Sequence, residues 1–183
     1  MTLNKKSSNI LSTPIGSLSF EAKSETGKLN DSSITICEIE PSIPDGMHVE
    51  KCFAILFKCF SLKLLKNVVF SCKWDNLDTS GYPDSGEGLD AWEWEHNGIL
   101  VMIGTEDGDR LSDRLNLAQQ KLDENYPITM CDNQITIVIQ EFEANRKFSL
   151  HFVVAWNPAP EPLEASCWFA VDFPHKKLLT ICN

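Results

Sequence analysis

Apolar and polar residues alternate along several short segments of the chain, and this period of two predicts β-strands. Residues 15–22 and 33–39 both alternate in this way. Further along, Ile135, Ile137 and Ile139 occupy every second position and would share one face of a strand. Strands with one apolar face are typical of antiparallel sheets that bury that face. The pattern therefore favours an antiparallel sheet.

The segment 48–74 is rich in Phe, Val, Ile and Cys and allows two interpretations. It can form two strands, about 50–60 and 67–74, joined by a stretch rich in Leu and Lys. A helix over 50–65 is the alternative, because the periodicity of a short apolar run does not distinguish a strand from a helix.

The clearest local signal is a hairpin. Strict alternation over Trp92–Glu95 is followed by His96, Asn97 and Gly98 and then by the apolar run 99–103. Asn-Gly between two strand patterns predicts a two-residue turn, since both turn positions need a positive φ. We therefore expect two antiparallel strands joined at Asn97-Gly98.

A second meander is predicted over 127–156, and a proline-rich loop at 157–162 should end it, because proline cannot donate to a strand ladder. Its strands are about 127–131, 134–143 and 147–156. Two closing strands are expected near 166–172 and 177–182.

One helix is predicted, at about 109–124. Asp107 or Asp109 can cap its start, and Asn125 and Pro127 can end it. An apolar stripe recurs at helical spacing between these limits; it consists of Leu111, Leu115, Ala118 and Leu122. The expected fold class is therefore α+β, a predominantly antiparallel sheet with one main helix packed on it.

Length and composition favour a single globular domain over residues 1–183. The chain has 43% hydrophobic and 23% charged residues, which argues against a disordered tail or a coiled coil.

The first twenty residues lack the apolar core of a signal peptide, and the longest apolar stretch, 52–65, is interrupted by Lys58 and Lys63. The seven cysteines include no Cys-x-x-Cys pair, so we expect buried, reduced thiols and a cytoplasmic location.

The negative charge is concentrated in one window. The formal net charge is −10, and the 35 residues 75–109 contain ten acidic residues and no Lys or Arg. The rest of the chain balances 16 acidic residues against 16 basic ones. A solvated surface normally mixes both signs, so this segregation needs an explanation. The acidic residues of the window are Asp75, Asp78, Asp84, Glu87, Asp90, Glu93, Glu95, Glu106, Asp107 and Asp109.

The window begins with a long loop, about 75–90, that is rich in glycine, and Trp92 and Trp94 follow it. Long loops inside compact domains tend to be functional. Four interpretations compete: a solvated loop with both tryptophans in the core, a binding surface for a basic protein, a calcium loop and a glycosidase-like carboxylate pair. The ligand spacing of an EF-hand is not met from Asp75 or from Asp78, and nothing selects one carboxylate pair. We therefore expect no metal site and no cofactor.

Other reactive residues are scattered. His151 lies on a predicted strand beside Phe152, where a structural, hydrogen-bonded histidine is the expected role. A couple between Cys167 and His151 is conceivable, but such couples are recognised by geometry and not by sequence.

An acidic surface next to aromatic residues suits the cleft of a nucleic-acid enzyme, which must be basic to hold phosphates. The net charge argues against nucleic acid as the partner of this chain, and the lack of an apolar span argues against a membrane. We expect the ten acidic residues of the window, together with Trp92 and Trp94, to bind a basic protein partner.

In size, acidity and the segment DNLDTSGYPDSGEGLDAWEWE, the chain resembles the bacterial immunity proteins of contact-dependent growth inhibition. The resemblance is compositional and transfers no individual residue role. It implies a cytoplasmic protein that binds and neutralises one cognate toxin domain, often a nuclease, and that has no enzymatic activity. The alternatives are a small hydrolase that depends on carboxylates or a cation, and an oligomeric structural protein.

Overall fold

The computed structural model describes residues 8–24, 29, 34–77, 79–86, 88–117, 126–131 and 133–182. The described residues form eleven strands and three short helices. The strands are β1 (Ser8–Thr13), β2 (Gly16–Ser24), β3 (Ile34–Ile39), β4 (Lys51–Phe60), β5 (Leu65–Trp74), β6 (Tyr82–Pro83), β7 (Leu89–His96), β8 (Ile99–Glu106), β9 (Ile128–Cys131), β10 (Gln134–Phe142) and β11 (Lys147–Pro158). The helices are α1 (Gly108–Leu115), α2 (Ser166–Val171) and α3 (His175–Ile181).

The strands form two sheets, in each of which every pair is antiparallel. Sheet one has the order β1-β2-β5-β10-β9, and sheet two has the order β3-β4-β11-β8-β7-β6. The α+β class and the antiparallel character predicted from the sequence are thus confirmed, but the strands form two sheets where one was predicted.

The two sheets pack face to face over an inner core. Phe20 of sheet one meets Phe152 of sheet two with ring centroids 6.0 Å apart, and Phe70 of sheet one meets Phe57 of sheet two at 5.3 Å. Alternation places these residues inward, because every second side chain of a strand points to the same face. Ile135, Ile137 and Ile139 are all buried in this core, as their spacing predicts.

Sheet two buries its other face as well, under α2 and α3. Leu56, Met102 and Val153 of the sheet pack with Val171 and Leu178 of the helices in an outer core. Gly104 of β8 makes this close approach possible, because a Cβ atom there would lie 2.9 Å from the Val171 side chain. Both faces of sheet two are therefore apolar at its centre.

Most strands lie where the sequence predicts them. β4 and β5 confirm the two strands expected in 48–74, and the alternative helix over 50–65 is wrong. β7 and β8 confirm the hairpin, with Asn97 at φ 52° and Gly98 at φ 74°. β1 was not predicted and pairs with β2 at the edge of sheet one.

The meander predicted over 127–156 is wrong in its pairing. β9 and β10 form a hairpin in sheet one, but β11 crosses to sheet two. β4 and β5 are also split between the sheets, and the two crossing connections touch where the Asn145 amide donates to the Ser61 carbonyl, 2.7 Å away. Both faces of β11 are buried along most of its length, so alternation alone does not identify the strands that pair with it.

The prediction of one main helix over 109–124 is not borne out. α1 begins after Asp107, whose side chain accepts a hydrogen bond from the Arg110 amide, and it ends at Leu115. Asn116 adopts the left-handed conformation, and the Leu117 amide bonds back to the Ser112 carbonyl, which closes the helix as a Schellman motif. The rest of the predicted span, 118–124, lies outside the described residues.

The two closing strands predicted near 166–172 and 177–182 are also wrong, because these segments form α2 and α3. Cys167, Ala170 and Val171 are buried at helical spacing and pack on sheet two. The proline-rich loop does end β11, as predicted, at Pro158.

Candidate functional site

An acidic edge lies where β6 closes sheet two, beside the N-terminal end of α2. β6 pairs with β7 so that Tyr82 faces Glu93, and the Trp168 indole donates to the Asp84 carbonyl, 3.1 Å away. We use the name acidic edge for one set of residues: Tyr82, Asp84, Glu93, Glu95, Glu161 and Phe169.

Like charges crowd this edge. Burial raises the pKa of Glu93, and the neighbouring carboxylates of Asp84, Glu161 and Glu95 raise it further. Within the described part of the chain, no Lys or Arg forms an ion pair with these four acidic residues. Glu161 is held in place because its carboxylate accepts hydrogen bonds from the Asn157 side chain at 2.9 Å and from the Cys167 amide at 2.8 Å.

Apolar side chains are exposed beside these charges. Tyr82 is 70% exposed and Phe169 is 52% exposed. The Phe169 ring packs edge-on against Trp168, with centroids 5.3 Å apart, and Trp168 covers Gly86. The edge therefore offers aromatic surface and negative charge together, a combination suited to binding a cationic protein.

The two tryptophans predicted as partner contacts lie mainly in the core. Trp94 is completely buried and packs edge-on against Trp74, with centroids 5.6 Å apart. Trp92 is half-buried against the same core. Their side of β7 faces sheet one, so Trp94 cannot reach a partner, and Glu93 and Glu95 occupy the opposite side, as the alternation predicts.

Three of the acidic residues predicted to contact a partner instead form hydrogen bonds or an ion pair around α1. Asp90 is buried, and its carboxylate accepts hydrogen bonds from the Tyr126 hydroxyl at 2.7 Å and the Gly108 amide at 3.2 Å. Burial raises the pKa of Asp90, and these hydrogen bonds oppose that shift. Asp107 caps α1, and Glu106 forms an ion pair with Arg114.

The remaining acidic candidates do not join the acidic edge. Asp75 accepts a hydrogen bond from the Ser19 hydroxyl beside sheet one, and Asp109 is exposed in the first turn of α1. Asp78 and Glu87 lie outside the described residues.

Of the twelve predicted contacts, the structure brings together three at the acidic edge: Asp84, Glu93 and Glu95. The sequence analysis did not identify the other three residues of this edge, Glu161, Tyr82 and Phe169. Glu161 lies in the proline-rich loop, far along the chain, so no local pattern connects it to the window.

A second cluster of reactive side chains lies on the helix face of sheet two, and it too was missed. His151 of β11 and His175 of α3 are buried, with their Nδ1 atoms 2.8 Å apart. His175 Nε2 lies 2.8 Å from the Ser149 hydroxyl oxygen. One ligand atom from each of Glu106, His151 and His175 lies within 4.8 Å of the others.

Burial lowers the pKa of both imidazoles, to about 3 for His175 and well below the ordinary range for His151. The positive charge of Arg114 lowers both values further, and the neighbouring His175 adds to the effect on His151. Both rings are therefore neutral at neutral pH. The structural, hydrogen-bonded role predicted for His151 fits this placement.

The Cys167–His151 couple considered from the sequence is not formed. Cys167 is buried beside Glu161, and burial together with that carboxylate raises the pKa of its thiol. His151 pairs with His175 instead. All seven cysteines lie within the described residues and are free thiols, five of them buried.

Comparison with protein-family models, with curated proteins and with solved structures found no match to this chain. In the part of the chain that the structure describes, no helix is both long enough and apolar enough to cross a membrane.

Proposed function

We propose that the protein is a cytoplasmic immunity or inhibitor protein that binds a basic cognate toxin domain, with a nuclease as the expected toxin. The observation that carries this proposal is the acidic edge. Its four carboxylates lack an ion-pair partner among the described residues, and Tyr82 and Phe169 are exposed beside them.

Electrostatics supports a binding role for this edge. Burial raises the pKa of Glu93 first and the neighbouring like charges raise it further, so the isolated protein carries a repulsion among these charges that a cationic partner would relieve. Uncompensated charge at a surface increases the rate of association with an oppositely charged protein. The compositional resemblance to immunity proteins agrees with this role.

The test is a matched pair of charge reversals. In one variant Asp84→Lys and Glu95→Lys change the acidic edge, and in the other Asp45→Lys and Glu143→Lys change exposed positions elsewhere. Both variants change the formal net charge from −10 to −6, so they differ only in where the charge lies. Wild type and variants serve as bait in lysate of the source organism at low and at moderate salt.

We expect wild type and the control variant to retain one basic protein at low salt, and the edge variant to lose it. The recovered protein is then assayed for toxicity and nuclease activity with and without wild type, which should suppress both. Equal retention by all three baits would contradict the acidic edge as the contact, and recovery of nothing at either salt would contradict the proposal itself.

A further inference from the structure

We propose that Glu106, His151 and His175 form a binding site for a zinc ion on the helix face of sheet two. This site is separate from the acidic edge and does not depend on the proposed function. The argument begins with the positions of the three residues in the fold.

Three different elements deliver the three donor groups to one point. Glu106 is the last residue of β8, two positions after Gly104, which pairs with Val153 of β11. His151 precedes Val153 by two positions, so Glu106 and His151 project from the same face of adjacent strands. His175 begins α3, which covers that face. The resulting ligand atoms lie within 4.8 Å of one another.

The two imidazoles meet edge to edge, with their nitrogens directed at each other. Their planes are inclined by only 22°, yet the Nδ1 atoms are 2.8 Å apart, closer than stacked rings approach at about 3.5 Å. Both Nδ1 atoms therefore compete for one proton in a shared hydrogen bond. In a tetrahedral zinc site, with Zn–N bonds of about 2.0–2.1 Å, two such nitrogens are about 3.4 Å apart. A separation of the rings by roughly half an ångström would let the metal ion replace that proton.

The surrounding groups fit a metal ligand set. A histidine that binds a metal usually donates its other ring N–H to a neighbour, and His175 Nε2 lies 2.8 Å from the Ser149 hydroxyl. Arg114 holds Glu106 in place through its Nε, 3.0 Å from each carboxylate oxygen, and donates to the Ser149 carbonyl at 2.8 Å. A carboxylate has about four lone-pair positions, so Glu106 can accept from Arg114 and also bind a cation.

Zinc is the ion that this donor set favours. Two imidazole nitrogens and one carboxylate oxygen are a common set of three protein ligands for zinc. Both imidazoles are buried, and their Nδ1 atoms point toward one another from β11 and α3. A bound ion would connect α3 to β8 and β11 of sheet two.

The experiment titrates metal-free full-length protein with Zn²⁺ against a chromophoric chelator, with excess Mg²⁺ present to occupy surface carboxylates. We expect one equivalent of zinc to bind, and Co²⁺ in its place to give the intense visible bands of a four-coordinate site. His175→Gln and Glu106→Gln should weaken zinc binding at least about tenfold, and Ser149→Ala should weaken it by about 10–100-fold.

Two control variants should retain the wild-type affinity. Cys131→Ser removes an exposed thiol, and His96→Gln removes the histidine that ends β7 beside the Asn97-Gly98 turn. The proposal is overturned if wild type binds no zinc, or if His175→Gln and Glu106→Gln bind it as tightly as wild type. Should the histidine variant fail to fold, nitrogen NMR of the wild-type histidine rings decides. Zinc must shift Nδ1 of both His151 and His175, and unchanged signals would overturn the proposal.

Discussion

Glu93 shows how a single residue can reduce the stability of its own fold. It lies on β7 among three other carboxylates, and its pKa is raised by burial first and then by those like charges. A raised pKa means that the folded chain holds its proton more tightly than the unfolded chain. Ionisation of Glu93 therefore destabilises the fold, and the loss grows as the pH rises above the ordinary value of 4.5.

Replacing Glu93 by Gln should accordingly stabilise the protein at neutral pH, because the amide cannot ionise. Thermal unfolding at a series of pH values should show a higher melting temperature for the variant at pH 7, and the gain should disappear below about pH 4. Glu143→Gln, at an exposed position, serves as the control and should show no gain. A lower melting temperature for Glu93→Gln at pH 7 would contradict this account.

Burial raises the pKa of Asp90 as well, but its carboxylate differs from that of Glu93 in being held by hydrogen bonds. Tyr126→Phe removes one of its hydrogen-bond donors and should lower the free energy of unfolding by about 1.5–3 kcal/mol, as for other hydrogen bonds to charged groups. Chemical denaturation measures the change, and Tyr82→Phe is the matched control because Tyr82 is exposed. The sequence could not separate Asp90 from Glu93, because burial depends on distant residues such as Tyr126. If Tyr126→Phe and Tyr82→Phe lowered the free energy of unfolding equally, that result would count against a structural role for Asp90.

At the scale of the element, strands were predictable and short helices were not. β7 and β8 follow from alternation and the Asn97-Gly98 turn, both of which are local signals. α2 and α3 have six and seven residues, too few for a helical period to stand out in an apolar run. The buried set Cys167, Ala170 and Val171 does have helical spacing, and Asn116 is a residue type that often ends helices. Both signals are present in the sequence, but the apolar residues around them fit other patterns equally well.

The contact between α2 and β8 can be tested at Gly104. Gly104→Ala places a methyl group 2.9 Å from the Val171 side chain and should lower the free energy of unfolding by about 1–3 kcal/mol. Adding Val171→Gly removes both Val171 atoms at that distance, Cβ and Cγ2, so the double variant should lose less than the sum of the two single losses. Strictly additive losses in denaturant unfolding would show that this close contact does not limit how α2 packs.

For the whole molecule, the central question is how two sheets and a helical layer remain one cooperative unit. Sheet two contributes one face to the inner core and the other to the outer core. A disturbance in either core should therefore reach the other through the strands that they share. The candidate site also depends on the whole fold, because Glu161 lies in the loop after β11, far along the chain from Glu93, and its carboxylate still raises the pKa of Glu93.

Leu178→Ala tests this coupling. Leu178 is completely buried in the outer core, and its truncation should cost about 2–5 kcal/mol. Tryptophan fluorescence and far-ultraviolet circular dichroism should shift to the same lower denaturant midpoint, because a cooperative domain unfolds in a single transition. Ile181→Ala on the exposed side of α3 should leave the midpoint nearly unchanged. Separate midpoints for the two signals would show that the outer layer unfolds on its own.

The crossing of β10 and β11 between the sheets has a consequence for the order in which the chain can fold during synthesis. β5 pairs with β10, and β4 pairs with β11. Both β4 and β5 are therefore synthesised long before the strands with which they pair. Pairings distant in sequence close slowly, because the loop entropy is lost before the contacts form. Until β11 leaves the ribosome, β4 and β8 each lack their common neighbour. The nascent chain therefore exposes apolar surface of β4 and β8 until β11 has left the ribosome, and the two sheets can be completed only after that point.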